Sequence, residues 1–304
     1  MSIFYTTYPI SVVFIFVVLC ILFVISLTNI VLASVFLWLT YMDCISITPI
    51  IKIVDDTLGI LFKDSIATVK HNIKESFPVF GNTEYKGQAI FIFHPHGIFS
   101  LAHTFHVICN TTDWPYKRMK ATVHAIMGKI PLIKDFHNNI CIPSNYETMK
   151  DVLLDGKSLS LGLGGRTESR IINRNKITAV IKSRRGIFKM ALETGVPLIP
   201  VISYGENNVY QKMDSSISDC IEYLIGFNIP IPTLESLKAW FQIYKTPLKE
   251  PIKTYIGEPI TMSPPVAKPT DAQIEELRSR YIAAIEKLYR ETRPEDYEAE
   301  LEVV

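Results

Sequence analysis

Apolar positions along this chain fall into three patterns. A stretch in which almost every position is apolar occupies residues 10–42, and no charged residue precedes Asp43. Short apolar runs bounded by Gly or Pro follow at residues 88–93, 158–163, 197–203 and 252–256, and these predict strands. Helical spacing marks residues 98–109, 146–154 and 185–194, the last stopped by Gly195 and Pro197. The order β-α-β-α-β predicts an α/β domain with a largely parallel sheet, covered by helices and joined by right-handed crossovers. Thr270 and Gln273 form a capping box ahead of Ile274, Leu277, Tyr281, Ile285 and Leu288, which predicts a terminal amphipathic helix. Residues 263–269 read as a Pro-rich connector. Residues 220–244, with Tyr223, Phe227, Trp240, Phe241 and few charges, fit a lip on a bilayer or ordinary core packing.

As one helix the first stretch would be roughly 50 Å long, at ~1.5 Å per residue, against a hydrocarbon core about 30 Å thick. Thr28-Asn29 divides it into residues 11–27 and 30–42, which predicts a helical hairpin that enters and leaves the membrane on one face. A long tilted single span is the alternative. A secretory signal peptide fits less well, because no basic residue precedes the stretch and Leu32-Ala33-Ser34 is a weak cleavage site. The expected organisation is a membrane anchor at residues 1–45 and a cytosol-facing domain at residues 46–304, long enough for one full core.

Composition narrows the partners. The formal net charge of +1 supplies no basic excess to hold nucleic acid. Cys20, Cys44, Cys109, Cys141 and Cys220 are odd in number and lack CxxC spacing, so neither a zinc site nor a disulfide framework is indicated. A reducing compartment suits them. Asn110-Thr111-Thr112 matches a glycosylation acceptor that stays silent in a cytosolic domain.

The chemistry concentrates at His94-Pro95-His96-Gly97, where the run at residues 88–93 stops. Imidazole takes and returns a proton near neutral pH, and α/β enzymes place bases at the carboxyl ends of strands. A turn holding two hydrogen-bonded histidines is the plainer alternative. His94, His96, His103 and His106 also permit a metal-dependent membrane enzyme, but carboxylates at ligand spacing are missing. Gly162-Leu163-Gly164-Gly165 lacks the further glycine of a dinucleotide fingerprint.

Four ordered blocks carry a resemblance. They are the HPHG tetrapeptide; Gly164-Gly165-Arg166-Thr167-Glu168-Ser169; Arg184 to Gly195 with Pro200-Val201-Ile202-Ser203-Tyr204-Gly205-Glu206-Asn207; and Pro251-Ile252, Thr254, Gly257 and Pro259-Ile260. Over residues 70–290 the chain resembles the type-2 diacylglycerol acyltransferase family, which includes monoacylglycerol and wax-alcohol acyltransferases. The resemblance implies a glycerolipid-acyltransferase-like fold at the endoplasmic reticulum membrane and lipid droplets. It implies transfer of a fatty acyl group from coenzyme A to a lipid alcohol, with diacylglycerol the first choice of acceptor. Acyl-CoA is then a co-substrate, no cofactor or metal is expected, and the partners are acyl-CoA, the lipid alcohol and membrane lipids. Assembly with a second copy is left open. A non-catalytic lipid-binding membrane protein is the reading from a different class.

Within that reading His96 is the base, because Gly97 leaves room beside it, and His94 holds His96 or the thioester carbonyl. Glu168 is expected to accept from the other nitrogen of the imidazole. Backbone N–H groups near Gly97, Gly164 and Gly165 are expected to face the oxyanion. Arg184, Arg185 and Lys189, with Lys182, cluster at a helix start suited to the phosphates of coenzyme A. Three features depart from the family pattern. Ser76-Phe77-Pro78 stands for Tyr-Phe-Pro, Arg166-Thr167 stands for Ala-Ala, and the aromatic after Gly186 comes one place late. Unlike the wider glycerolipid acyltransferases, the chain has Phe99 and Leu101, not an acid, five residues after each histidine.

Overall fold

The run at residues 88–93 becomes β2 (Ile90–His94), and every residue of it is buried. Its alternating side chains serve two cores. Ile90 and Ile92 face one side of the sheet, and Ala89, Phe91 and Phe93 face the other. A strand covered on both faces must be apolar throughout, which is why this run shows no polar alternation. The computed structural model describes residues 63–116, 119–124, 140–209, 233–243, 245–262 and 264–304. The membrane hairpin expected at residues 1–45, and most of the aromatic segment 220–244, lie outside the described residues. Among the described residues no helix is long and apolar enough to cross a membrane.

The chain runs α1 (Lys63–Ser76), β1 (Val79–Gly81), β2, α2 (Leu101–His103, passing into a π-helical turn at Thr104–Ile108), β3 (Met119–Val123) and β4 (Cys141–Pro143). It continues through α3 (Tyr146–Leu154), β5 (Ser158–Gly162), α4 (Gly165–Arg170), β6 (Lys176–Ala179), α5 (Gly186–Thr194) and β7 (Leu198–Tyr204). α6 (Glu206–Val209), α7 (Leu234–Ile243), β8 (Lys253–Ile256), α8 (Asp271–Thr292) and β9 (Glu300–Val303) complete it.

Among the described residues seven strands form a sheet of order β1-β8-β7-β2-β5-β3-β4. All neighbours are parallel except β7 and β8, so β8 and β1 run against the other five. β2 lies at the centre, flanked by β5 and β7, and its carboxyl end opens at the crossover between them, where open α/β sheets place their ligands. Residues of α3, α5 and α8 pack on the Ile90–Ile92 face, while the π-helical turn and Trp114 pack on the Phe91–Phe93 face. α8 begins with both bonds of the expected capping box, and Ile274, Leu277, Tyr281, Ile285 and Leu288 form its buried stripe.

The helix expected at residues 98–109 begins later, at Leu101. Gly97 and Ser100 both adopt positive φ, 63° and 48°, and so shape a turn between β2 and α2. A two-stranded parallel sheet pairs β6 with β9. The amides of Ile181 and Lys182 then donate to the carbonyl of Val304, which ties the segment after β6 to the last residues of the chain.

Candidate active site

His94, the last residue of β2, and His96, in the turn after it, lie on opposite sides of the sheet. His94 continues the face of Ile90 and Ile92, is 0% exposed, and places Nε2 3.0 Å from the hydroxyl of Tyr281 on α8. The chain then turns through a cis peptide at Pro95 and through Gly97. His96 is partly exposed, and its ring rests against Gly162 of β5 on the face that carries Ser160 and α2. A Cβ at position 162 would stand 2.6 Å from Cδ2 of His96, so this close approach requires glycine. Nδ1 of His96 is 3.0 Å from the carbonyl of Gly97. A carbonyl only accepts, so Nδ1 carries the proton in the neutral ring and the lone pair sits on Nε2. In that tautomer Nε2 is the ring nitrogen able to accept a proton.

Glu168 corrects the sequence-based expectation for its role. It does not reach the His96 imidazole, which the Gly97 carbonyl orients instead. Its Oε2 accepts from the backbone N–H of His96 at 2.6 Å, and Oε1 accepts from the N–H of Val180 at 2.8 Å. Nδ1 of His94 faces Oε1 at 3.8 Å, too far for a hydrogen bond, at a site 0% and 2% exposed. Burial alone would raise the Glu168 carboxyl, but the His94 imidazole and the N–H donors of His96 and Val180 hold it below the usual range. Its contribution to stability is therefore present above about pH 4.5 and is lost as pH falls through its lowered folded value. Gly164 must lack a side chain here, because a Cβ would fall 1.9 Å from the Glu168 carboxyl.

A second buried carboxylate, Glu206, lies on the far side of the turn. It accepts from the N–H groups of Leu101 and Ala102 and so caps α2. Its side chain also backs Gly97, where a Cβ would meet Cγ of Glu206 at 2.8 Å. Burial pushes its carboxyl up to about 7, against the lowering effect of the two amides. A folded value above the ordinary 4.5 means that folding favours the proton, so stability falls as pH rises from about 4.5 to 7. Glu206→Gln removes that slope. Urea unfolding at pH 5, 6, 7 and 8 should show a steeper decline for the wild type than for the variant, and parallel curves would contradict the assignment.

The cations expected to meet coenzyme A are already engaged. Nη2 of Arg184 donates to the carbonyl of Gly164 at 2.9 Å and to Oγ1 of Thr167 at 3.1 Å, which fastens the glycine-rich turn. Arg185 pairs with Asp271 at the start of α8. Lys189 lies 3.6 Å from Glu193 and 5.4 Å from the centre of the Tyr146 ring. Arg185 and Lys189 remain about half exposed, and ion pairs in that setting exchange readily for another anion.

His103 and His106 hold the sheet face beneath the turn. Nε2 of His103 is 2.9 Å from Oγ of Ser160, and burial, then the charge of His96, push its imidazole down to about 3. Nδ1 and Nε2 of His106 bond the hydroxyls of Thr112 and Thr254 at 2.7 and 2.9 Å. Among the described residues no three potential ligand side chains converge as a metal site requires.

Glu206 and Tyr281 escaped the sequence reading as site residues. Glu206 sits within a quoted family block, and Tyr281 is the one hydroxyl-bearing residue in the apolar stripe of α8. Both signals were present in the sequence.

Comparison with known proteins adds a family. A family model described as "Diacylglycerol acyltransferase" matches residues 67–302. Diacylglycerol O-acyltransferase 2B of Umbelopsis ramanniana is 24% identical over 226 residues, 69% of this chain and 64% of that protein. 2-Acylglycerol O-acyltransferase 1 of Mus musculus is 30% identical over 66% of this chain and 64% of its own length. Diacylglycerol O-acyltransferase 2 of Bos taurus is 30% identical over 66% of this chain and 59% of its own length. The matches thus span about two thirds of the relatives or less. The crystal structure of the 1-acyl-sn-glycerophosphate acyltransferase of Thermotoga maritima is a looser likeness, at 15% identity and a TM-score of 0.45 over 75% of this chain and 79% of that one. Since the family match covers most of the chain, including the HPHG turn, Glu168 and α8, this chain belongs to the diacylglycerol acyltransferase family.

Proposed function

We propose that the chain is a membrane-bound O-acyltransferase that moves a fatty acyl group from acyl-CoA to a lipid alcohol, with diacylglycerol the acceptor and triacylglycerol the product. The observation that carries this reading is the attitude of His96, a partly exposed imidazole with its Nδ1–H committed to a carbonyl and its Nε2 open. An alcohol is a weak nucleophile until a base takes its proton. In the proposed step Nε2 removes the hydroxyl proton as the alcohol oxygen bonds to the thioester carbonyl carbon. The amides of Gly97, Gly164 and Gly165 border the turn and are the proposed donors to the oxyanion. When the intermediate collapses, the C–S bond breaks and the coenzyme A thiolate takes the proton from His96. The products are an ester and the free thiol, with no metal or cofactor in the balance.

The reading includes an anchor at residues 1–45 in the endoplasmic reticulum membrane, with the described domain on the cytosolic side and access to lipid droplets. A 2-acylglycerol acceptor is the second reading, favoured by the murine relative of that name at an identity equal to the bovine diacylglycerol enzyme. Membranes containing the full chain, given labelled acyl-CoA with diacylglycerol, 2-acylglycerol, a long-chain alcohol or retinol, should acylate diacylglycerol fastest. Preference for 2-acylglycerol would select the second reading, and transfer to none of the four would reject both.

Arg184, Arg185 and Lys189 are the proposed acyl-CoA contacts, with phosphates competing against Asp271 and Glu193 for the two exposed cations. Changing Arg185 and Lys189 together to Ala should raise the KM for acyl-CoA about three- to tenfold and leave that for the lipid alcohol unchanged, because only the donor carries phosphates. Salt should weaken acyl-CoA use more in the wild type than in the double variant. Equal salt responses would remove these residues from the donor site.

A further inference from the structure

Position 281 lies in the apolar stripe of α8, between Leu277 and Ile285, and is fully buried. The Tyr281 ring packs edge-on against Phe188 of α5 with centroids 5.7 Å apart, a contact that phenylalanine would make equally well. The hydroxyl is what packing does not explain, since a buried O–H destabilises unless it is bonded. Its partner is Nε2 of His94 at 3.0 Å. On the other side of that ring Nδ1 has no hydrogen-bond partner and faces Oε1 of Glu168. The Tyr281 O–H donates to Nε2, so in the neutral ring Nδ1 carries the proton and points it toward the carboxylate. Glu168 then holds the N–H of His96. A continuous set of contacts therefore runs from the C-terminal helix to the main chain of the base.

We propose that Tyr281 is a positioning residue for acyl transfer: its hydroxyl sets the ring of His94, that ring sets the Glu168 carboxylate, and the carboxylate sets the turn that presents His96. This rests on the reading of His96 as the base. It also gives the first histidine of the HPHG turn a role of its own. With Nε2 occupied and no exposed surface, His94 is the middle of a buried relay and does not touch substrate.

The test is Tyr281→Phe in the full chain, which keeps the ring and removes the hydroxyl. The kcat should fall about tenfold, with KM for acyl-CoA and for the lipid alcohol within about twofold of wild type. Combined with Glu168→Gln, the substitution should add nothing further, because the relay is already cut. Histidine ¹⁵N spectra should report the Nδ1–H tautomer for His94 in the wild type and a tautomer mixture in Tyr281→Phe. A kcat within twofold of wild type, a change confined to KM, or losses that multiply in the double variant would each overturn the relay. If the wild type transfers no acyl group, the functional reading fails instead. The spectra then decide alone, and unchanged His94 signals in Tyr281→Phe overturn the proposal.

Discussion

His96→Ala should lower acyl transfer to less than about one hundredth of the wild-type rate, with protein level and membrane location unchanged. A positioned general base contributes on the order of 10²- to 10⁴-fold, and Nε2 of His96 is the open nitrogen at the end of the central strand. The ring is partly exposed and bonds through Nδ1 to the carbonyl of the next residue, so its loss leaves the core intact. His94 cannot substitute, because it faces the other side of the sheet with both nitrogens directed at Tyr281 and Glu168. The measurement is kcat in membranes matched for protein content. Near-normal turnover would remove His96 from the mechanism.

Glu168→Gln should cost about 30- to 100-fold in kcat and lower the unfolding temperature as well. The carboxylate accepts from two buried donors, the N–H groups of His96 and Val180, and faces Nδ1 of His94 at 3.8 Å. An amide keeps one acceptor oxygen and turns an NH2 toward a donor. A buried donor left without an acceptor costs about 1–3 kcal/mol, and the upper part of that range corresponds to the rate loss expected here if the main chain of His96 shifts. Oε2 is on the His96 amide, so the rotamer that turns NH2 there should dominate the catalytic effect. Kinetics and thermal unfolding of the same preparation check both halves. A variant with full activity and reduced stability would show that Glu168 serves the fold alone.

The parts of the fold legible in the sequence are those whose cause is local. β2, β5, β7 and the capping box of α8 announce themselves through short apolar runs, Gly or Pro boundaries and a side chain three residues from its cap. β1 and β4 span three residues each, too few to show a period, and β8 gives no local sign that it runs antiparallel to β7. At the site, His96 and Glu168 were found as chemistry but not as geometry. The bond from His96 to Glu168 spans 72 positions, Leu101 to Glu206 spans 105, and His94 to Tyr281 spans 187. Sheet order brings such pairs together, and no periodicity along the chain encodes it. The basic cluster at residues 182–189 was legible as charge, yet its pairing with Asp271 and Glu193 depends on where α8 and α5 pack.

Acyl transfer couples two events at one carbon atom, loss of the thiol and gain of the alcohol. In membranes carrying the full chain, with acyl-CoA, diacylglycerol and a chelator present, coenzyme A release and triacylglycerol formation should rise together in a ratio of about one, and both should vanish in His96→Ala. Coenzyme A release without acylated product, or transfer that the chelator abolishes, would contradict it.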